Sequence, residues 1–117
     1  MNHTATRLLN SQIAAFSCEI GKFLQKVQTT RTLDVAQFGR AETALASIAD
    51  GLQHNDLVPK GFLNELRTAV RILRAENEHF GDRRQLGQLA DRLDYIFDLI
   101  LMGEIPGDRV PGKPRII

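Results

Sequence analysis

Apolar residues recur every third or fourth position through four segments of this chain, and no segment alternates in the two-residue rhythm of a strand. That periodicity commits the chain to helices, each with one face to bury. The first predicted helix runs from about Thr4 to Gln28, with Leu9, Ile13, Phe16, Ile20, Phe23, Leu24 and Val27 on one face. At about 25 residues it is about 37 Å long, longer than the second, so one end is expected to project or bend. Gly21 interrupts it at a cost of about 1 kcal/mol relative to alanine. Either a neighbouring backbone approaches there or the helix is locally weak.

The polar run Thr29-Thr30-Arg31-Thr32 breaks the pattern. Asp34 then supplies an N-cap oxygen, and Gln37 completes a capping-box spacing. Phe38, Ala41, Leu45, Ile48 and Leu52 carry the second helix, with Gly51 as its stop. Residues Gln53 to Lys60 read as a loop, because Pro59 cannot sit inside a helix. The third helix starts near Pro59 or Lys60 and carries Phe62, Leu63, Leu66, Ala69, Val70, Leu73 and Phe80. Gly81 is its expected stop, and Asp82 with Gln85 the cap of the fourth helix, so these two helices form an antiparallel hairpin. The fourth helix places Leu86, Leu89, Leu93, Ile96, Phe97, Ile100 and Leu101 on its apolar face and ends at Gly103. Its last two turns, Ile96 to Met102, are apolar on nearly every side.

The fold expected is all-α, an antiparallel four-helix bundle over residues 1–103, followed by an extended C-terminal arm over 104–117. Three of the four prolines fall in that arm, which rules out helix there. Yet it carries Ile105, Val110, Ile116 and Ile117, which suits a strap packing on the bundle or on a partner. With 117 residues, 43% hydrophobic and 25% charged, the chain has the composition of one ordinary globular domain.

Fifteen basic residues against fourteen acidic leave a formal charge of +1, so nucleic acid is not the expected partner. Cys18 has no second cysteine to pair with, and reads as a passive thiol on the flank of the first helix. No signal peptide, membrane-spanning segment or lipidation motif is visible, and a cytoplasmic location is the expectation. No phosphate-binding glycine loop and no metal-ligand spacing stands out. Glu76 and His79 make a single Glu-x-x-His pair where a di-metal bundle needs two, so neither cofactor nor metal is expected.

Arg74 and His79 form an R-x4-H spacing that resembles the motif of HEPN ribonucleases, which are small all-helical proteins. The resemblance implies a metal-independent RNA cleavage in which His79 acts as general base and Arg74 meets the developing phosphate charge. It covers these six residues alone. Ala75 stands where that family usually has a polar residue, and Gly81 where it has a tyrosine.

The charge pattern supports a different function. Arg67, Arg71 and Arg74 flank the apolar stripe of the third helix, where arginines cover the core edge and pair across to a neighbour. Asp91, Asp94 and Asp98 follow at i, i+3 and i+7 on the fourth helix, roughly opposite its apolar face. They read either as a docking surface for a basic partner or as a solvated face paired with Arg92 and the third-helix arginines. The leading expectation is a non-enzymatic protein-binding module, such as the immunity protein or antitoxin that inhibits a bacterial toxin. Its contact residues would be Asp91, Asp94, Tyr95, Asp98 and Met102, with Arg109, Ile116 and Ile117 of the arm. A third expectation is a homo-oligomer, such as a homodimer, joined through the apolar end of the fourth helix.

Overall fold

A computed structural model of the chain describes residues 3–53, 57–79 and 85–103, with side chains from residue 7 onward. The first helix, α1, spans His3–Thr30, overrunning the sequence-based span by one residue at its start and two at its end. It closes on Arg31, which takes a left-handed φ of 53°. The Thr32 N–H then donates back to the Lys26 carbonyl at 3.1 Å. Gln12 faces Gly51 at the far end of the second helix, and before it α1 exposes Arg7, Leu8, Asn10 and Ser11 while Leu9 stays half-buried against the core.

Helix α2 spans Val35–Gly51. Asp34 caps it as its sequence position requires: Oδ1 accepts from the Gln37 N–H at 3.0 Å, and Oδ2 from Lys26 Nζ at 2.8 Å. The reciprocal half of the capping box is missing. The Gln37 side chain turns into the protein instead, where its Oε1 is buried without a hydrogen-bond partner among the described residues.

Helix α3 spans Lys60–Glu76 and is preceded by Pro59, whose carbonyl accepts from the Leu63 N–H. It stops short of the expected Phe80 and tightens into a 3-10 turn over Asn77–His79. Asn77 gives the physical reason, because its short side chain competes with the helical backbone. Its Oδ1 accepts from the Gly87 N–H at 3.1 Å, satisfying a donor in the first turn of the next helix. Asp82 and Gly81, the expected cap and stop, lie outside the described residues. Helix α4 spans Gln85–Met102 and ends at Gly103 in the left-handed conformation, φ 71°.

The four helices pack as two stacked hairpins. Within each, the helices are antiparallel: Glu19 meets Arg40 across α1 and α2, and Arg74 meets Asp91 across α3 and α4. Between hairpins the neighbours are parallel. Ser17 donates to Glu65 and Arg31 pairs with Glu76, so α1 runs alongside α3. Arg92 pairs with Glu42 and Gly103 abuts Gln53, so α2 runs alongside α4. Among the described residues α1 makes no close backbone approach to α4, nor α2 to α3.

The apolar faces meet in one core. Phe16, Phe23, Phe38, Leu45, Leu66 and Leu93 are fully buried. Phe16 and Phe62 meet edge to face at 6.0 Å, tying α1 to α3, and Phe23 and Phe38 lie 5.2 Å apart between α1 and α2. Burial of each such side chain contributes about 1.5–3 kcal/mol. No helix among the described residues is long and apolar enough to cross a membrane.

Two glycines respond oppositely to a methyl group. Around Gly21 nothing lies within 4 Å of an added Cβ, so its cost to α1 is purely conformational. At Gly103 the φ is positive, and a Cβ would sit 2.8 Å from the Gln53 carbonyl oxygen. Gly21→Ala is expected to raise stability by about 0.5–1 kcal/mol, and Gly103→Ala to lower it by at least about 1 kcal/mol. Urea denaturation of the two variants checks both signs.

The Asp34 cap makes a pH prediction. The Lys26 ammonium, and then the Gln37 N–H, hold the Asp34 carboxyl below its ordinary value of 3.8. A depressed carboxylate stabilises the fold above its unfolded pKa, and that contribution is lost as pH falls through the folded one. Asp34→Asn keeps the cap oxygen but removes the charge. The stability gap between wild type and this variant is expected to be open at neutral pH and to close progressively below about pH 5. Denaturation midpoints measured across that range test it.

Candidate docking surface

Helix α4 presents an outer stripe of Asp91, Tyr95, Asp98 and Met102, at i, i+4, i+7 and i+11. All four are exposed, Tyr95 by 43% and Met102 by 46%, and Leu101 beside them by 58%. Asp94 lies off this stripe, half-buried on the side facing α3. The three aspartates therefore stand in different settings. Arg74 of α3 reaches across the seam, its Nη1 2.9 Å from Asp91 Oδ1 and its Nη2 3.2 Å from Asp94 Oδ2. The Asp91 hydrogen bond, with help from Asp94, pushes the Arg74 pKa further above its ordinary value. Asp98 has no ion-pair partner among the described residues.

Arg92 does not take part in this pairing, although it neighbours Asp91 in sequence. Its guanidinium makes a two-pronged contact with the Glu42 carboxylate on α2 and lies 5.2 Å from the centre of the Phe38 ring. The Glu42 hydrogen bond raises its pKa in turn. Of the three third-helix arginines, Arg74 pairs across the seam as the pattern suggests. Arg67 and Arg71 are exposed and have no ion-pair partner among the described residues.

A groove flanks α4 on each side. Towards α2, an open groove of about 330 Å³ is lined by Glu42, Thr43, Ala46, Arg92, Tyr95 and Ile96. Towards α3, a cleft of about 190 Å³ is lined by Arg67, Val70, Arg71, Arg74, Asp94 and Phe97. Neither groove is legible from residue spacing, because each depends on how closely two helices pack. Tyr95 is the candidate residue that borders the wider one.

His79 is exposed at the end of the 3-10 turn, and the Arg74 guanidinium is held by two carboxylates. A phosphate would have to displace Asp91 and Asp94 to use Arg74. Cys18 is exposed on α1. Among the described residues no group of three histidine, cysteine or acidic side chains could hold a metal ion. Arg109, Ile116 and Ile117, with the rest of 104–117, lie outside the described residues.

Because the Arg74 pairs are exposed, they stabilise weakly, about 0.2–1 kcal/mol each, and are screened by salt. Arg74→Gln is expected to lower stability by no more than about 1–2 kcal/mol at low ionic strength, with the difference shrinking in salt. Paired denaturation curves at low and high sodium chloride concentration check this.

No protein-family model, curated protein or solved structure matches this chain.

Proposed function

We propose that this chain is a helical protein-binding module that docks its partner on the outer stripe of α4. The observation that carries the reading is the setting of Tyr95. Tyr95 stands half-exposed on the rim of the open α2–α4 groove, with Asp98, which has no ion-pair partner among the described residues, one turn on, and exposed Leu101 and Met102 one to two turns further on. A tyrosine on a helix tolerates exposure without penalty, but one beside a groove and an apolar patch is the residue type that anchors interfaces. Asp98 supplies the charge, and a lysine or arginine of the partner is its complement. In its most specific form the module is a dedicated inhibitor of the immunity or antitoxin kind, whose basic target is covered by this face.

The test is copurification of the tagged full-length chain from its native extract. Wild type would be compared with Tyr95→Ala, Asp98→Asn and His79→Ala, each checked for helicity by circular dichroism. The expected result is a stoichiometric protein partner held by wild type and by His79→Ala. Loss of an anchoring tyrosine costs about 2 kcal/mol or more, so Tyr95→Ala should weaken binding about thirtyfold. Asp98→Asn should slow association and reduce its salt dependence. Absence of any partner, or equal retention by Tyr95→Ala and Asp98→Asn, would overturn the reading.

A further inference from the structure

We propose that the cleft between α3 and α4 is a receptor for an acidic side chain, a glutamate presented by the partner protein. This rests on the protein-binding reading and adds a second, oppositely charged contact on the other flank of α4.

This protein treats its seam arginines in two ways. Arg31, Arg40, Arg74 and Arg92 each lie between two helices, and each meets a carboxylate on the neighbouring element. Arg67 and Arg71 also border a seam, the one with α4, yet neither has an ion-pair partner among the described residues. The α4 wall of their cleft offers Phe97 and Asp94, and Asp94 already serves Arg74. Two guanidinium groups one helical turn apart, neither with an ion-pair partner among the described residues, repel each other. An oxyanion lying between them would accept from both, in the forked geometry that arginine favours.

The shape of the cleft selects the occupant. Its volume of about 190 Å³ falls below the roughly 300–1,000 Å³ typical of sites that enclose a whole small molecule. It has room for a group the size of one side chain. Val70 is buried and Phe97 half-buried, which gives the cleft an apolar wall beside its charged rim. A glutamate fits both halves, its methylenes against Val70 and Phe97 and its carboxylate against Arg67 and Arg71. Asp98, one residue beyond Phe97, remains available for a cation. A partner carrying a glutamate and a basic residue in the matching order would therefore be fixed in register by two contacts of opposite sign.

The probe is the capped pentapeptide acetyl-Ala-Glu-Leu-Glu-Ala-amide, titrated into the full-length protein and followed by heteronuclear NMR. The signals to observe are the arginine Nε–H groups and the Val70 methyl groups. Two controls accompany it, the same peptide with glutamine in place of glutamate, and inorganic phosphate. The expected result is saturable shifts of the Arg67, Arg71 and Val70 signals with the glutamate peptide, and none with the glutamine peptide. Arg67→Gln and Arg71→Gln, both at exposed positions, should each weaken the titration by about tenfold, the worth of one charge-assisted hydrogen bond. No saturable shift with the glutamate peptide would overturn the proposal, as would equal shifts with the glutamine peptide. Phosphate saturating the same signals more tightly than the peptide would also overturn it, making the cleft a general oxyanion site. The copurification test reads Tyr95 and Asp98, so the cleft and the α4 stripe fail or succeed independently.

Discussion

Phe38 is one of the points at which the two hairpins are joined, and the placement of Arg92 follows from it. The ring is fully buried against Phe23 of α1, and its other side receives the Arg92 guanidinium of α4. A cation over an aromatic face is worth about 0.5–1 kcal/mol at an exposed site, and here Glu42 completes the site by binding the same guanidinium. One arginine thereby bridges α4 to α2 by serving two groups at once, at the edge of the open groove between them. Because Arg92 is drawn towards α2, it is unavailable to the aspartates on its own helix. Arg74 supplies two of them from the opposite side, and Asp98 is left without a charge partner among the described residues.

The α3–α4 hairpin shows the same coupling between chain termination and surface chemistry. Asn77 ends the α-helical part of α3 and reaches the Gly87 N–H of α4, which fixes how the two helices face each other. In that antiparallel arrangement Arg74 falls opposite Asp91 and Asp94. Arg71 and Arg67, one and two turns earlier, border the cleft that Asp94 and Phe97 of α4 also line. Three arginines that look equivalent in spacing thus acquire two different environments. One is neutralised, and two remain charged at the rim of a cleft.

The helices themselves were legible in the residues, because an apolar face repeats every three to four positions regardless of what later covers it. The Asp34 cap and the Gly103 stop were legible for the same reason: each satisfies orphan backbone groups within a few residues of itself. The early end of α3 was not, since the acceptor on Asn77 bonds to a donor ten residues away. Gln37 had the spacing of a capping box, but the core claimed its side chain instead. Of the candidate contact residues, exposure of Tyr95 and Met102 agrees with their position on the stripe. Asp91 and Asp94 pair with Arg74 across the α3 seam and Asp98 does not, a difference that spacing along α4 does not show.

By itself, then, the amino-acid order determined that the described residues make four amphipathic helices, where most of them begin and end, and which side of each is buried. Those properties depend on contacts within a turn or two. Only the tertiary structure decided that the hairpins stack with parallel neighbours, that nothing approaches Gly21 while Gln53 crowds Gly103, and which arginine meets which carboxylate. With eleven arginines and fourteen acidic residues, many pairings are chemically equivalent along the chain. Distances of a few ångströms across helix seams choose among them, and those distances are set by core packing between residues far apart in sequence.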